Sequence, residues 1–310
     1  MELDKVAHVL ARYGVASSDL LQRGMEAAVY AHGADQVLKL YASSVPVQEL
    51  LTLQAFYAEL DRAALSLAVP AIATVRDEGE CVVVIERRLP GQPLRDLAER
   101  ATPHALAALF ERYLDAVLEV GTLQPPAGIL RHKLYDVPGV DQQSARDWHH
   151  FLARYLAVKL AELAHPLAWD VDEFSDKMTR LQNWLGRPYN GPVRVIHGDI
   201  FPGNLLANAE GRVTALVDFG LFTMAGDPLF DVATAWVFFD MYDQLGADVR
   251  TRLLARILAR LGEAARPALY RYVLLYSVLS ANTYAPDCSD GHYRWCVDNL
   301  TSPELWQDWS

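Results

Sequence analysis

Disulfide chemistry is the first thing this chain lacks material for. Three cysteines, Cys81, Cys288 and Cys296, are scattered over 310 residues with no CxxC spacing. That excludes a disulfide framework or a zinc ribbon and fits a reducing compartment. Basic charge is also short: 28 Lys plus Arg stand against 39 Asp plus Glu, a formal net charge of −11. A field of that sign repels nucleic-acid backbones and anionic lipid and attracts cationic solutes, so a nucleic-acid partner is not expected. Long apolar runs are missing too. The longest, Tyr272 to Ala281, is broken by Ser277 and Ser280 and falls short of the ~20 residues of a membrane span. The opening MELDKVAHVLARYGV sets Glu2, Asp4 and Lys5 where an export signal needs a basic start and an apolar run. Neither membrane nor export is expected, and the cytoplasm is the expected location. Gly 18 and Pro 16 are too few for a fibrous or disordered chain, while 52% hydrophobic residues can bury a core. The length exceeds what one core usually serves and predicts two lobes.

Periodicity divides the chain. Val6, Leu10 and Tyr13 predict a helix over 2–13. Residues 19–41 read as a hairpin around His32-Gly33-Ala34-Asp35, in which Lys39 shares a face with Val37 and Tyr41 and points away from Leu38 and Leu40. A helix over 46–63 and a buried strand over 82–85 follow, and Pro90-Gly91 closes this segment. Helical patterns then cover 103–121, 143–164, 172–186, 229–245, 248–261 and 267–281, interrupted by two strand-like pieces, 193–196 and 213–217. No internal repeat or low-complexity segment occurs. A strand-rich first 90 residues before a helical remainder is an α+β arrangement in two lobes, 1–88 and 89–310.

Each of the two late strands empties into an acidic loop, His197-Gly198-Asp199-Ile200-Phe201-Pro202-Gly203-Asn204 after the first and Asp218-Phe219-Gly220 after the second. Paired strands would bring Asp199, Asn204 and Asp218 together. Mg²⁺ asks for one or two hard oxygen donors from protein and takes the rest from water and phosphate, a need that Asn204 and Asp218 suit.

This H-G-D-x-x-x-x-N tract followed by D-F-G resembles the catalytic and metal loops of protein-kinase-like phosphotransferases, specifically the aminoglycoside phosphotransferase and choline kinase-like family. Val84 to Leu94, with Pro90-Gly91, is similar to the family's interlobe hinge, and Gly226-Asp227-Pro228-Leu229-Phe230-Asp231-Val232-Ala233 to its G-D-P-x-x-D-x-A. The resemblance spans nearly the whole chain and implies a bilobal protein-kinase-like fold. It implies Mg²⁺-dependent transfer of the γ-phosphate of ATP, or of GTP, to a hydroxyl of a small, amine-bearing molecule. An aminoglycoside antibiotic is the favoured acceptor, with antibiotic resistance as the role. A metabolic kinase of homoserine, choline or a sugar, and a catalytically silent nucleotide-binding regulator, are the alternatives.

By that resemblance Asp199 acts on the acceptor hydroxyl, Asn204 and Asp218 hold the metal, and Lys39 contacts the α- and β-phosphates. The backbone of Glu86, Arg87 and Arg88 meets the adenine edge, while His197 and Asp231 support the catalytic loop. Two points depart from the pattern. The loop 22–28 carries one glycine, Gly24, where a protein kinase has three. The acidic partner of Lys39 is open: Glu49 is chosen, although spacing back from Val69-Pro70 falls near Gln54. Twelve residues separate Asp218 from Asp231 with no A-P-E, too few for the segment that supports a peptide acceptor. In the last stretch Asp287 and Asp290, with Asp298, Glu304 and Asp308, would favour a polycationic acceptor. Trp295, with Tyr284, Tyr293 and Trp306, would instead form a cation–π box for a quaternary amine.

Overall fold

The computed structural model describes residues 3–24, 27–241, 244–246, 248–307 and 309. Met25 and Glu26 of the single-glycine loop, Glu2 and residues 242–243 of two expected helices, and Asp308 lie outside the described residues.

The first part runs α1 (Leu3–Arg12), β1 (Leu20–Arg23), β2 (Ala27–His32), β3 (Gln36–Ala42), α2 (Val47–Glu59), β4 (Ile72–Asp77) and β5 (Cys81–Arg87). The strands form one antiparallel sheet in the order β1-β2-β3-β5-β4. Alternation in β3 and β5 decides what covers each face. Leu38, Leu40 and Val83 pack with Val9 and Leu10 of α1, whereas Tyr41, Val82 and Val84 pack with Leu50 of α2. The expected helix over 46–63 stops at Glu59 because Leu60 turns extended (φ −65°, ψ 130°), and Asp61 then caps a short 3₁₀ turn. Beyond Leu50, α2 leans on the second core through Leu53, Phe56 and Tyr57.

The second part holds β6 (Gln92–Pro93), α3 (Leu94–Glu99), α4 (Pro103–Val120), α5 (Trp148–Asp170), α6 (Phe174–Leu185), β7 (Arg194–Ile196), β8 (Leu205–Ala207), β9 (Val213–Leu216), β10 (Met224–Gly226), α7 (Leu229–Phe238), α8 (Val249–Leu261), α9 (Arg266–Ser280) and α10 (Gly291–Thr301). The helix expected over 143–164 starts later, since Asp141 closes a turn on Gln143 and Ser144 and Asp147 is the actual N-cap. It also runs through Pro166 to Asp170. α7 ends at Phe238 rather than 245, where Asp240 takes the amides of Gln244 and Leu245. From Leu269 to Ser280, α9 is buried almost all round, which makes it the axis of this core. Each large side chain fully buried there contributes about 1.5–3 kcal/mol.

The backbone of Ala68 joins the parts at the level of the loops. Ala68 donates to Thr214 O at 2.9 Å and accepts from Leu216 at 3.0 Å. Gly91, at φ +131°, passes so close to Ala207 that a Cβ would stand 3.0 Å from its carbonyl oxygen. Among the described residues no helix is long and apolar enough to cross a membrane.

Candidate active site

β7 delivers His197 into a loop braced from below. Both oxygens of the fully buried Asp231, at the start of α7, accept backbone amides, His197 N and Gly198 N, each at 2.7 Å. Burial pushes the Asp231 carboxyl up to about 7, against the opposing pull of those amides. Gly198 takes φ +81°, and a Cβ there would fall 2.1 Å from Phe222 O, so this position admits no side chain. Tyr113 hydroxyl donates to the carbonyls of Ile200 and Ala235 and braces the loop from α4.

His197 ties this loop to the next. Its Nε2 donates to Val217 O at 2.9 Å and its Nδ1 accepts from Asp199 N at 3.2 Å. Burial, outweighing the pull of Val217 O and Asp218, lowers its pKa to about 4. It is therefore neutral near pH 7, with a tautomer set by the carbonyl. Asn204 Nδ2 donates to Asp199 O at 2.9 Å and to Asp199 Oδ2 at 3.1 Å, and Asn204 O accepts Val217 N at 2.9 Å. The next residue, Asp218, sits at φ +63° with its side chain half exposed. Its Oδ1 meets Lys39 Nζ at 2.8 Å, and Glu86 Oε1 meets the same ammonium at 2.9 Å. Burial is the largest influence on Lys39 and opposes its charge, but Asp218 and Glu86 together hold its pKa well above the ordinary value. Lys39 in turn holds the Asp218 carboxyl below its usual range. Asp199, Asn204, Asp218 and Lys39 thus form one connected set, assembled from β3 and from the loops after β7 and β9.

The donor chemistry suits a hard divalent ion. Since the Asn204 amide nitrogen is committed to Asp199, Oδ1 is the atom left to ligate, and half-exposed Asp218 offers the carboxylate. Among the described residues no group of three or more His, Cys, Asp or Glu side chains is placed to hold a metal.

A sequence model of the phosphotransferase enzyme family matches residues 20–272. The chain belongs to that family. Solved structures share its fold. The gentamicin complex of APH(2'')-IIa is 14% identical, with a TM-score of 0.66 and 98% of each chain covered. The GDP and kanamycin complex of APH(2'')-IIIa is 19% identical, with a TM-score of 0.62 and 96% of each chain covered. The streptomycin–ATP–APH(2'')-IIa ternary complex is 13% identical, with a TM-score of 0.60, covering 91% of this chain and 92% of that one. No curated protein matches the sequence.

Other expected site residues of this phosphotransferase fall elsewhere. Glu49 does not pair with Lys39: half-buried on α2, it is influenced by Lys133 and Asp136 instead, and burial, the larger effect, raises its pKa. Gln54 donates to Ile72 O at 3.1 Å. Nor are the amides of Arg87 and Arg88 available to a base, because they donate to Ala71 O (3.1 Å) and Asp35 O (2.8 Å). Asp290 caps α10 on Tyr293 N and Asp287 closes a turn on Ser289. Trp295 is core, stacked on His292. The cation–π box does not assemble, since Tyr293 binds Asp170 and Trp306 lies over Lys177.

Sequence reasoning also missed Lys133. Buried in the segment between α4 and α5, it donates through Nζ to Leu221 O just past the D-F-G, and it lies over the Phe222 ring at 5.8 Å. Its backbone pairs with Met224 of β10. No periodicity marks this stretch, so the only available signal was a lysine in a Pro- and Gly-bearing connection.

Proposed function

We propose that this phosphotransferase moves the γ-phosphate of ATP, or of GTP, to a hydroxyl of a small molecule in a Mg²⁺-dependent reaction. The observation that carries the reading is the convergence of Asp199 and Asn204 with Asp218 and Lys39. The Pγ–O bond to the nucleoside diphosphate breaks as a bond from the acceptor oxygen forms, and the acceptor proton leaves to Asp199 or through it to solvent. Asp199 is the group positioned to orient that hydroxyl, a task worth about 10²- to 10⁴-fold in rate. Asn204 and Asp218 would hold Mg²⁺, which supplies charge neutralisation at the phosphate oxygens. Lys39 fixes the phosphates as a point charge, and neutral His197, with Asp231, keeps the loop in shape. In this reading residues 1–88 form the nucleotide lobe and 89–310 the lobe for catalysis and the acceptor.

An aminoglycoside is the favoured acceptor class, supported by the family and by the gentamicin, kanamycin and streptomycin in the related complexes. Asp287 and Asp290 add nothing to that choice, because they close a turn and cap α10. The test is ADP release with ATP and Mg²⁺ across a panel of aminoglycosides, choline, homoserine and sugars. Acceptor-dependent ADP is the expected result. Nucleotide binding with no acceptor raising ADP above background would instead support the silent regulator.

A further inference from the structure

Neither Glu49 nor Gln54 of α2 pairs with Lys39: Gln54 binds the β4 backbone and Glu49 is influenced by Lys133 and Asp136, so the α2 group near the ammonium is the neutral Tyr57. The ammonium is nevertheless buried, and a buried lysine without a counter-charge would shed its proton. The counter-charge comes from within the sheet. In the β3–β5 ladder Lys39 pairs with Val84 and Val37 with Glu86, so Lys39 and Glu86 are diagonal neighbours on one face, within reach of long side chains. Glu86 is itself buried, and its Oε1 lies 2.9 Å from Nζ.

We infer that Glu86 is the positioning residue of Lys39, taking through its side chain the role expected of an acid on α2. This rests on the proposed function. Asp218 holds Lys39 equally closely, but in that function its carboxylate also serves the metal, so it cannot be the lysine's dedicated counter-charge. Glu86 keeps Lys39 charged and aimed into the cleft while Asp218 turns to its other task. Because the pair is set by ladder register between neighbouring strands, the lysine's counter-charge does not come from α2. That gives the phosphate contact a fixed anchor and leaves the helix free of this duty.

The test is a double-mutant cycle with Lys39→Met and Glu86→Gln in the full chain, read both by nucleotide affinity with a fluorescent ATP analogue and by urea unfolding. Glu86→Gln is expected to weaken nucleotide binding by about 10-fold in the wild-type background and by less than about twofold beside Lys39→Met, because its effect travels through the lysine. Glu86→Gln and Lys39→Met should likewise be less than additive in unfolding, since removing both charges leaves no uncompensated ion. A Glu86→Gln effect that persists undiminished beside Lys39→Met would mark a merely structural residue and overturn the assignment. So would a larger loss from Glu49→Gln than from Glu86→Gln. Absence of nucleotide binding by the wild-type chain would sink the proposed function itself, and the unfolding cycle would then still decide whether the two residues are coupled.

Discussion

The carboxylate of Asp199 and the side-chain amide of Asn204 lie 3.1 Å apart, with the amide also bound to the Asp199 backbone at 2.9 Å. Five residues apart in sequence, they are locked into one orientation before any substrate arrives. Orientation set in advance in this way lowers the ordering needed in the transition state. Asp199→Ala should therefore cut turnover by about 10²-fold or more with nucleotide affinity nearly intact. Steady-state kinetics beside nucleotide titration checks this, and lost ATP affinity at normal turnover would contradict the assigned role.

Gly198 is a second tight point. A methyl group there must displace Phe222 O, 2.1 Å from where Cβ would stand, at a left-handed φ of +81°. Gly198→Ala should destabilise the fold by about 3 kcal/mol or more, through strain and the forced shift of backbone. Urea unfolding measures it. A change within about 0.5 kcal/mol, the range of an ordinary surface substitution, would show that the two loops are not held as closely as described.

Asp231 carries a pH signature. Its folded pKa, raised to about 7 mainly by burial, exceeds the ordinary 3.8. The acid form is thus favoured in the fold, and this stability is fully present below about pH 4 and lost as pH rises through about 7. The isosteric Asp231→Asn does not titrate. The stability of wild type relative to this variant should fall between pH 4.5 and 8 by a few kcal/mol, about 3–4 at most. Urea midpoints across that range give the slope, and a flat or rising difference would refute the assignment.

Lys133 makes the last prediction. Lys133→Met keeps the length of the side chain but removes the donor to Leu221 O beside the metal loop. Leaving that carbonyl short of a partner should cost about 1–3 kcal/mol. A raised Mg²⁺ requirement should accompany the loss if the loop after Asp218 shifts, and Lys133→Arg should restore part of both. An Arg variant no better than Met would argue against the donor role.

Local sequence was enough to read the elements whose cause is local. The alternation in β3 told which face Lys39 takes, and the spacing in α2, α4, α6, α8 and α9 gave their placement to within a few residues. The start of α5, set by the side-chain cap Asp147, was misplaced, because a capping oxygen acts only when its own turn forms. The H-G-D-x-x-x-x-N tract likewise carried its own geometry, since Asn204 reaches Asp199 across five residues.

The sequence by itself determined which chemical groups are available, the carboxylates of Asp199 and Asp218, the amide of Asn204 and the ammonium of Lys39, and on which strands and loops they ride. Only the tertiary structure decided who answers whom. Glu86 meets Lys39 through strand register, Asp231 reaches the amides of His197 and Gly198 across 33 residues or more, and Asp290 caps α10 while Asp287 closes a turn. The reason is physical: a buried charge is matched by whichever opposite group the packed chain brings within about 3 Å, and distance along the chain does not report distance in space.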